Sequence, residues 1–199
     1  MKFNLFKFYL YLPIIVFFIT SQSIAKEPIE FIKYVTSKAS QVLLKQISKE
    51  EKILELRNLA EENVDINGVG LYSLGKYRKA ISSSQLEEYK KLFKEYFLKS
   101  FSSRLSEYSD PRINVISQEI LSEKYTMVSS VLVASENRPE ISIQWRVYTK
   151  DPNNPLIRDL IIEGLSLAKT QKEEFYSVIK GGDGDINILF NNLKTFVTK

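Results

Sequence analysis

The chain has neither histidine nor cysteine among its 199 residues. Without histidine, no side chain titrates unperturbed between about pH 5 and 8. The commonest proton shuttle and metal ligand are missing with it. Without cysteine there is no thiol nucleophile, no thiolate for zinc, no disulfide and no residue to acylate as a lipoprotein. A surplus of one charge is also lacking: 28 basic residues face 24 acidic ones, for a net charge of +4. That is too balanced to argue for nucleic acid, which needs a clustered basic footprint. Stability must come from a core, and a chain of this size buries about 70% of its unfolded surface.

The one long apolar run is at the start. Lys2 and Lys7 form a positive n-region, Phe8 to Ile19 an apolar h-region, and Thr20 to Ala25 a small-x-small ending suited to cleavage after Ala25. A permanent anchor needs about 20 apolar residues, and this run is shorter and contains Pro13. The expectation is a cleaved signal peptide over 1–25 and export. The mature chain from Lys26 then loses two lysines and no acids, for a net charge of +2. No repeat, low-complexity tract or long linker interrupts residues 26–199, so one domain is expected there.

The first half of the mature chain has helical spacing. Pro28 suits a first turn, and Phe31, Ile32, Val35, Ala39, Val42, Leu43 and Ile47 follow on one face. Ser48 with Glu51 forms a capping-box pattern opening a helix to about Glu62. Asp65 can cap a third helix, Ile66 to Lys79, which Gly68, Gly70 and Gly75 weaken. Ser84 with Glu87 repeats the capping-box pattern before a long helix running to Tyr108. On that helix Leu86, Tyr89, Phe93, Phe97, Phe101, Leu105 and Tyr108 share a face that Leu92 and Tyr96 widen.

At Asp110-Pro111 the period changes to two. Arg112 to Leu121 and Lys124 to Ser135 read as strands, the second apolar on both faces. After a turn at Asn137-Arg138-Pro139, Ile141, Ile143, Trp145 and Val147 alternate with Ser142, Gln144, Arg146 and Tyr148. Asp151 to Pro155 is a turn, and Leu156 to Ile162 a fourth strand. Helical spacing returns with Leu167, Phe175, Val178 and Ile179, then Ile186, Leu189, Phe190, Leu193 and Phe196. The fold class is therefore α+β. N-terminal helices and two C-terminal helices should pack on a twisted antiparallel sheet of about four strands.

The motifs with possible chemistry have simpler structural readings. Gly70 to Tyr77 approaches the phosphate-loop pattern, but Tyr77 stands where a magnesium-holding hydroxyl belongs and no apolar strand precedes Gly70. Its glycines suit close helix packing instead. Gly181-Gly182-Asp183-Gly184-Asp185 lacks the ligands of a calcium loop; glycine ends one helix there and Asp183 or Asp185 caps the next. Asp159 and Glu163 lie roughly 13 Å apart along a strand, too far for a retaining glycosidase pair, and are structural. No spacing singles out a Ser–Lys dyad. Lys90, Lys91 and Lys94 could meet anionic headgroups, though interleaving with Glu87, Glu88 and Glu95 favours a solvated helix face. What remains is an aromatic and aliphatic surplus, which an ordinary core or an apolar cavity would each explain.

Two stretches narrow that choice. Leu74-Gly75-Lys76-Tyr77-Arg78, followed by Ser84-Gln85, Tyr89, Phe93, Tyr96-Phe97, Leu105 and Tyr108, resembles the central block of the MlaC family, the toluene-tolerance periplasmic phospholipid-binding proteins. Asp159 to Leu167 is similar to that family's second block, an acidic residue and then Glu-Gly-aliphatic-Ser-aliphatic. Phe175 and Gly182 to Leu193 match the usual ending. The chain departs in having Arg78 after Tyr77, where the family often has an aromatic pair, and Leu165 where valine is common.

The resemblance implies a soluble carrier without enzymatic activity or cofactor, whose mixed helix-and-sheet body surrounds a deep apolar pocket. It would bind phospholipid acyl chains in the periplasm of a double-membraned bacterium. It would exchange lipid with an outer-membrane lipoprotein complex and an inner-membrane ABC-type transporter, maintaining outer-membrane lipid asymmetry. Periodicity and the family blocks together suggest a lining of Val69, Leu74 and Tyr77, of Phe93, Phe97 and Phe101, and of Ile143, Trp145, Ile161, Leu165 and Leu167. The alternatives are another cargo, such as a hopanoid, another polyisoprenoid or a fatty acid, and a periplasmic chaperone or docking module with an exposed apolar patch.

Overall fold

The computed structural model describes residues 27–108, 112–136 and 138–199. The expected signal peptide, the break at Asp110-Pro111 and the turn residue Asn137 lie outside the described residues. Within them, α1 (Pro28–Leu44), α2 (Lys49–Asn63), α3 (Ile66–Leu74) and α4 (Ser83–Leu105) precede the strands β1 (Ile113–Ser122), β2 (Tyr125–Leu132), β3 (Ile141–Tyr148), β4 (Leu156–Ile162) and β5 (Leu165–Ser166). The helices α5 (Leu167–Gly181) and α6 (Ile186–Thr198) complete the order. The α+β layout is as expected.

Local chemistry sets the boundaries. Pro28 sits in the first turn of α1. At α2 the capping box forms: Glu51 N donates to Ser48 Oγ at 3.2 Å, and Ser48 N donates to the Glu51 carboxylate at 2.9 Å. At α4 the box forms two residues earlier than expected, at Ser82 and Gln85 instead of Ser84 and Glu87. Both spacings offer a hydroxyl and a partner three residues on, and the chain uses the first. The expected helix Ile66 to Lys79 is not continuous. Gly75 turns the chain with φ of 58°, and a 3-10 turn, Gly75–Lys79, follows α3. Of the two aspartates proposed to cap α6, Asp185 does so, accepting from Asn187 N at 2.9 Å.

The strands form one antiparallel meander in the order β1-β2-β3-β4-β5. Beside the about four strands expected, the meander has a short fifth strand. It is two residues long, joined to β4 by Glu163 and Gly164 at φ of 49° and 81°, both positive as a two-residue type I′ hairpin requires. In β3 the alternation holds: Ile143, Trp145 and Val147 are buried on one face. In β4 it is interrupted. Trp145 stands opposite Leu160 and Val147 opposite Ile157, so the pairing skips Arg158 as a bulge. Leu160 therefore shares the face of Trp145, while Ile161 pairs with Gln144 on the other.

Besides a small cluster of Val42, Leu43 and Leu56 between α1 and α2, the apolar interior has two large clusters. One cluster joins Phe31, Ile32 and Val35 of α1 to Val128, Ile143, Trp145, Val147 and Ile157 of the sheet. The other joins α3, α4, α5 and α6 through Leu74, Tyr89, Phe93, Phe175, Ile179 and Phe190. Val64, at the end of α2, packs against both. There Asp65 N donates to Ile157 O at 2.9 Å, and Arg158 Nε donates to Asp65 Oδ2 at 2.6 Å. The helical body and the sheet are tied at this edge, and α5 packs on β4 as well.

Candidate lipid-binding cleft

Next to that tied edge, a cleft of about 250 Å³ separates α4 from the sheet. One wall is the aromatic row of α4. Phe93 and Phe97 stack at 6.2 Å between ring centroids, and Phe97 and Phe101 at 5.7 Å with planes 5° apart. Four-residue steps place these rings on one face of the helix. The opposite wall is Trp145, Ile157 and Leu160, with Val64 and Val69 closing one side and Leu167 and Ala168 the other.

The buried polar groups within the walls are hydrogen-bonded, which offsets the cost of burying them. Trp145 Nε1 donates to Ser130 Oγ at 2.8 Å, and that hydroxyl donates to Ile143 O at 3.2 Å. Tyr96 donates to Gln171 Oε1 at 2.9 Å, bridging α4 and α5. Burial of Tyr96 raises its pKa above the ordinary phenol value. The Arg158 guanidinium lies 3.8 Å from the Tyr148 ring centroid and donates to Tyr125 Oη at 2.7 Å.

Buried Asp159 positions the start of α5. Its Oδ1 accepts from Ala168 N at 3.0 Å and its Oδ2 from Ser166 Oγ at 2.6 Å. Ser166 in turn caps α5, accepting from Lys169 N at 3.0 Å. Glu163 is used elsewhere, with its Oε1 accepting from Ser142 N. The two carboxylates hold backbone in place, one at a helix start and one at a hairpin.

Of the residues expected to line a pocket, Val69, Phe93, Phe97, Phe101, Trp145 and Leu167 line this cleft. The other five are placed elsewhere. Leu74 is 1% exposed inside the helical cluster. Tyr77 packs on its edge, 6.3 Å from the Tyr176 ring. Ile143 belongs to the core under α1. Ile161 is turned to the opposite sheet face by the bulge at Arg158. Leu165, in β5, is 60% exposed. The cleft also takes Tyr96, Ile157, Leu160 and Ala168, and polar residues including Ser100, Arg104, Gln171 and Glu174. Arg104 could have been found from its spacing, since it falls seven residues after Phe97 on the same stripe of α4.

An α+β body with an apolar cleft rimmed by a few polar side chains has the features of a small-ligand site. The family model described as MlaC protein matches residues 33–195. The chain belongs to the MlaC family. Its fold is similar to that of the phospholipid-binding protein from Ralstonia solanacearum, a structure solved in complex with a phospholipid. The two are 16% identical with a TM-score of 0.69 over 87% of this chain and 98% of that one. No curated protein matches the sequence.

Proposed function

We propose that this chain is a periplasmic phospholipid carrier, exported by a cleaved signal peptide over residues 1–25, with residues 26–199 forming one lipid-binding domain. The observation that carries the reading is the aromatic and aliphatic cleft between two separate apolar clusters. Membership of the MlaC family and the likeness to a phospholipid-binding protein support it.

The physical case is solubility. Exposing an acyl chain to water costs about 0.8 kcal/mol per methylene, so a free phospholipid effectively never crosses an aqueous gap. A lining of Phe97, Phe101, Trp145 and Leu160 substitutes for bilayer hydrocarbon without chemistry on the lipid. The cleft at about 250 Å³ is smaller than the roughly 300–1,000 Å³ of pockets for small ligands, so a two-chain lipid requires it to widen. Its walls belong to different clusters, which Val64 and the α5–β4 contacts join, so widening parts side chains of one cluster from those of the other. Directional transfer then depends on partners, an inner-membrane ABC-type complex and an outer-membrane lipoprotein complex, which together would maintain outer-membrane lipid asymmetry.

Incubating the purified protein with phospholipid vesicles, removing the vesicles and counting lipid phosphate left in solution tests the carrier reading. Soluble lipid proportional to protein is expected. A phosphate count no higher than that of a protein-free control contradicts it. A second reading, a docking module, draws on Ile116, Ile120 and Leu121, which are exposed on the edge strand β1. It predicts binding of a hydrophobic dye that prior lipid loading leaves unchanged.

A further inference from the structure

The charged residues of the cleft fall into two groups. Arg158 is paired with Asp65, and Asp159 is held by Ser166 and the Ala168 amide, with Arg146 at 3.7 Å. Arg104 and Glu174 differ. Among the described residues the Arg104 guanidinium has no hydrogen-bond or ion-pair partner, although it lines the cleft and is exposed. Glu174 Oε2 accepts from Gln171 Nε2 at 3.0 Å, and no cation reaches ion-pair distance of Glu174 among the described residues.

These two charges have opposite sign and stand on different walls. Arg104 is in the last turn of α4 and Glu174 on α5. The Tyr96–Gln171 hydrogen bond ties those walls together, and Gln171 in turn donates to Glu174, so the Glu174 carboxylate lies beside the tie. Arg104 and Glu174 line the same cleft, and no salt bridge joins them. An exposed Arg and Glu on neighbouring helices ordinarily gain by pairing or drift into solvent. The cleft that both line is walled by apolar side chains, among which acyl chains would lie.

Resting on the carrier reading, we infer that Arg104 and Glu174 form a two-point site for a zwitterionic phospholipid headgroup, with the phosphate on Arg104 and the ammonium on Glu174. A guanidinium presents a planar fork of donors that matches phosphate oxygens. A carboxylate is the complement of a primary ammonium. A headgroup with phosphate but no ammonium leaves Glu174 unmatched and facing an anion. The pair thus selects phosphatidylethanolamine over phosphatidylglycerol.

The test is competitive extraction from vesicles made of equal parts phosphatidylethanolamine and phosphatidylglycerol, with the ratio of the two lipids on the protein read by mass spectrometry. The ratio does not depend on total load. For the full chain, ethanolamine lipid should be enriched about threefold over the donor ratio, the scale of a partly exposed charge contact. Glu174→Gln should bring the ratio to that of the vesicles. The double substitution Arg104→Glu with Glu174→Arg should restore the enrichment, since the two charges are exchanged but both kept. The inference is overturned if the unmodified protein takes up lipid at the donor ratio, or if Glu174→Gln leaves the enrichment in place. Loss of all loading in both Glu174→Gln and Arg104→Gln also overturns it, because the residues would then be supporting the cleft. Absence of any lipid on the unmodified protein is a different result, and it removes the carrier reading itself.

Discussion

The hydroxyl of Tyr89 donates to the carbonyl of Gly70 at 2.9 Å, inside the helical cluster where neither residue reaches water. Together with the absence of a side chain at Gly70, this bond sets how closely α3 and α4 approach. A Cβ on Gly70 would lie 2.7 Å from the Phe93 ring, and Phe93 is the first ring of the cleft wall. Helix packing and cleft shape are therefore linked through one glycine.

Gly70→Ala should destabilise the protein by about 1–3 kcal/mol, the usual cost of overpacking a filled core, and should move Phe93 towards the cleft. Tyr89→Phe keeps the ring and removes the hydrogen bond, at about 0.5–1.5 kcal/mol. Denaturant unfolding of both variants checks the order, with Gly70→Ala expected to be the less stable. Equal stability of Gly70→Ala and the unmodified chain would show that α3 and α4 are less tightly packed than described.

Trp145 is the single tryptophan of the chain and lines the cleft, so its fluorescence reports on the contents. Lipid loading should shift the emission to shorter wavelength. Phe97→Glu places a charge in the same lining and should abolish both the shift and the uptake while far-ultraviolet circular dichroism stays unchanged. Leu165→Glu, at an exposed position outside the cleft, should load as the unmodified protein does. If the two variants behave alike, the cleft is not where the lipid sits.

Asp159→Asn should cost about 1–2 kcal/mol by weakening the contacts that fix the start of α5. Because α5 carries Leu167 and Ala168 into the cleft, lipid retention should fall with stability. Glu163→Gln, whose side chain holds the β4–β5 hairpin, should leave retention nearer to normal. Thermal unfolding and lipid off-rates measured in parallel separate the two.

At the start of α2, the Ser48 side chain and then the Ser48 amide hold the Glu51 carboxyl below its ordinary pKa. A carboxyl lowered in the folded state stabilises fully above its unfolded pKa, and that contribution disappears as pH falls through the lowered folded value. Glu51→Gln should therefore frayed-end exchange faster than the unmodified chain at neutral pH, with the difference vanishing in acid. Amide hydrogen exchange at Ser48 and the first turn of α2 follows it, and a gap that persists below the carboxylate range would contradict the assignment.

How much of this was legible in the sequence follows from where the determinants act. Hydroxyl caps and one-sided apolar periodicity are local, so α1, α2 and the face of β3 could be read from Pro28, Ser48–Glu51 and the alternation through Trp145. Where two local signals competed, as with Ser82–Gln85 against Ser84–Glu87, only the folded chain decides between them. The cleft depends on pairing between strands. The bulge at Arg158 puts Leu160 in the cleft instead of Ile161, and no pattern within Leu156–Ile162 announces it. The row Phe93, Phe97 and Phe101 was readable because one helix presents it whole. Leu74 and Tyr77 were not separable from it, because the break at Gly75 and the packing of α3 on α5 direct them away.

Native mass spectrometry of the protein, recovered gently from a double-membraned bacterial host, tests the central claim most directly. A bound species with the mass of a phospholipid, released on activation and identified by its headgroup and acyl fragments, is the predicted result. A protein that stays lipid-free in that host and after incubation with phospholipid vesicles would contradict it.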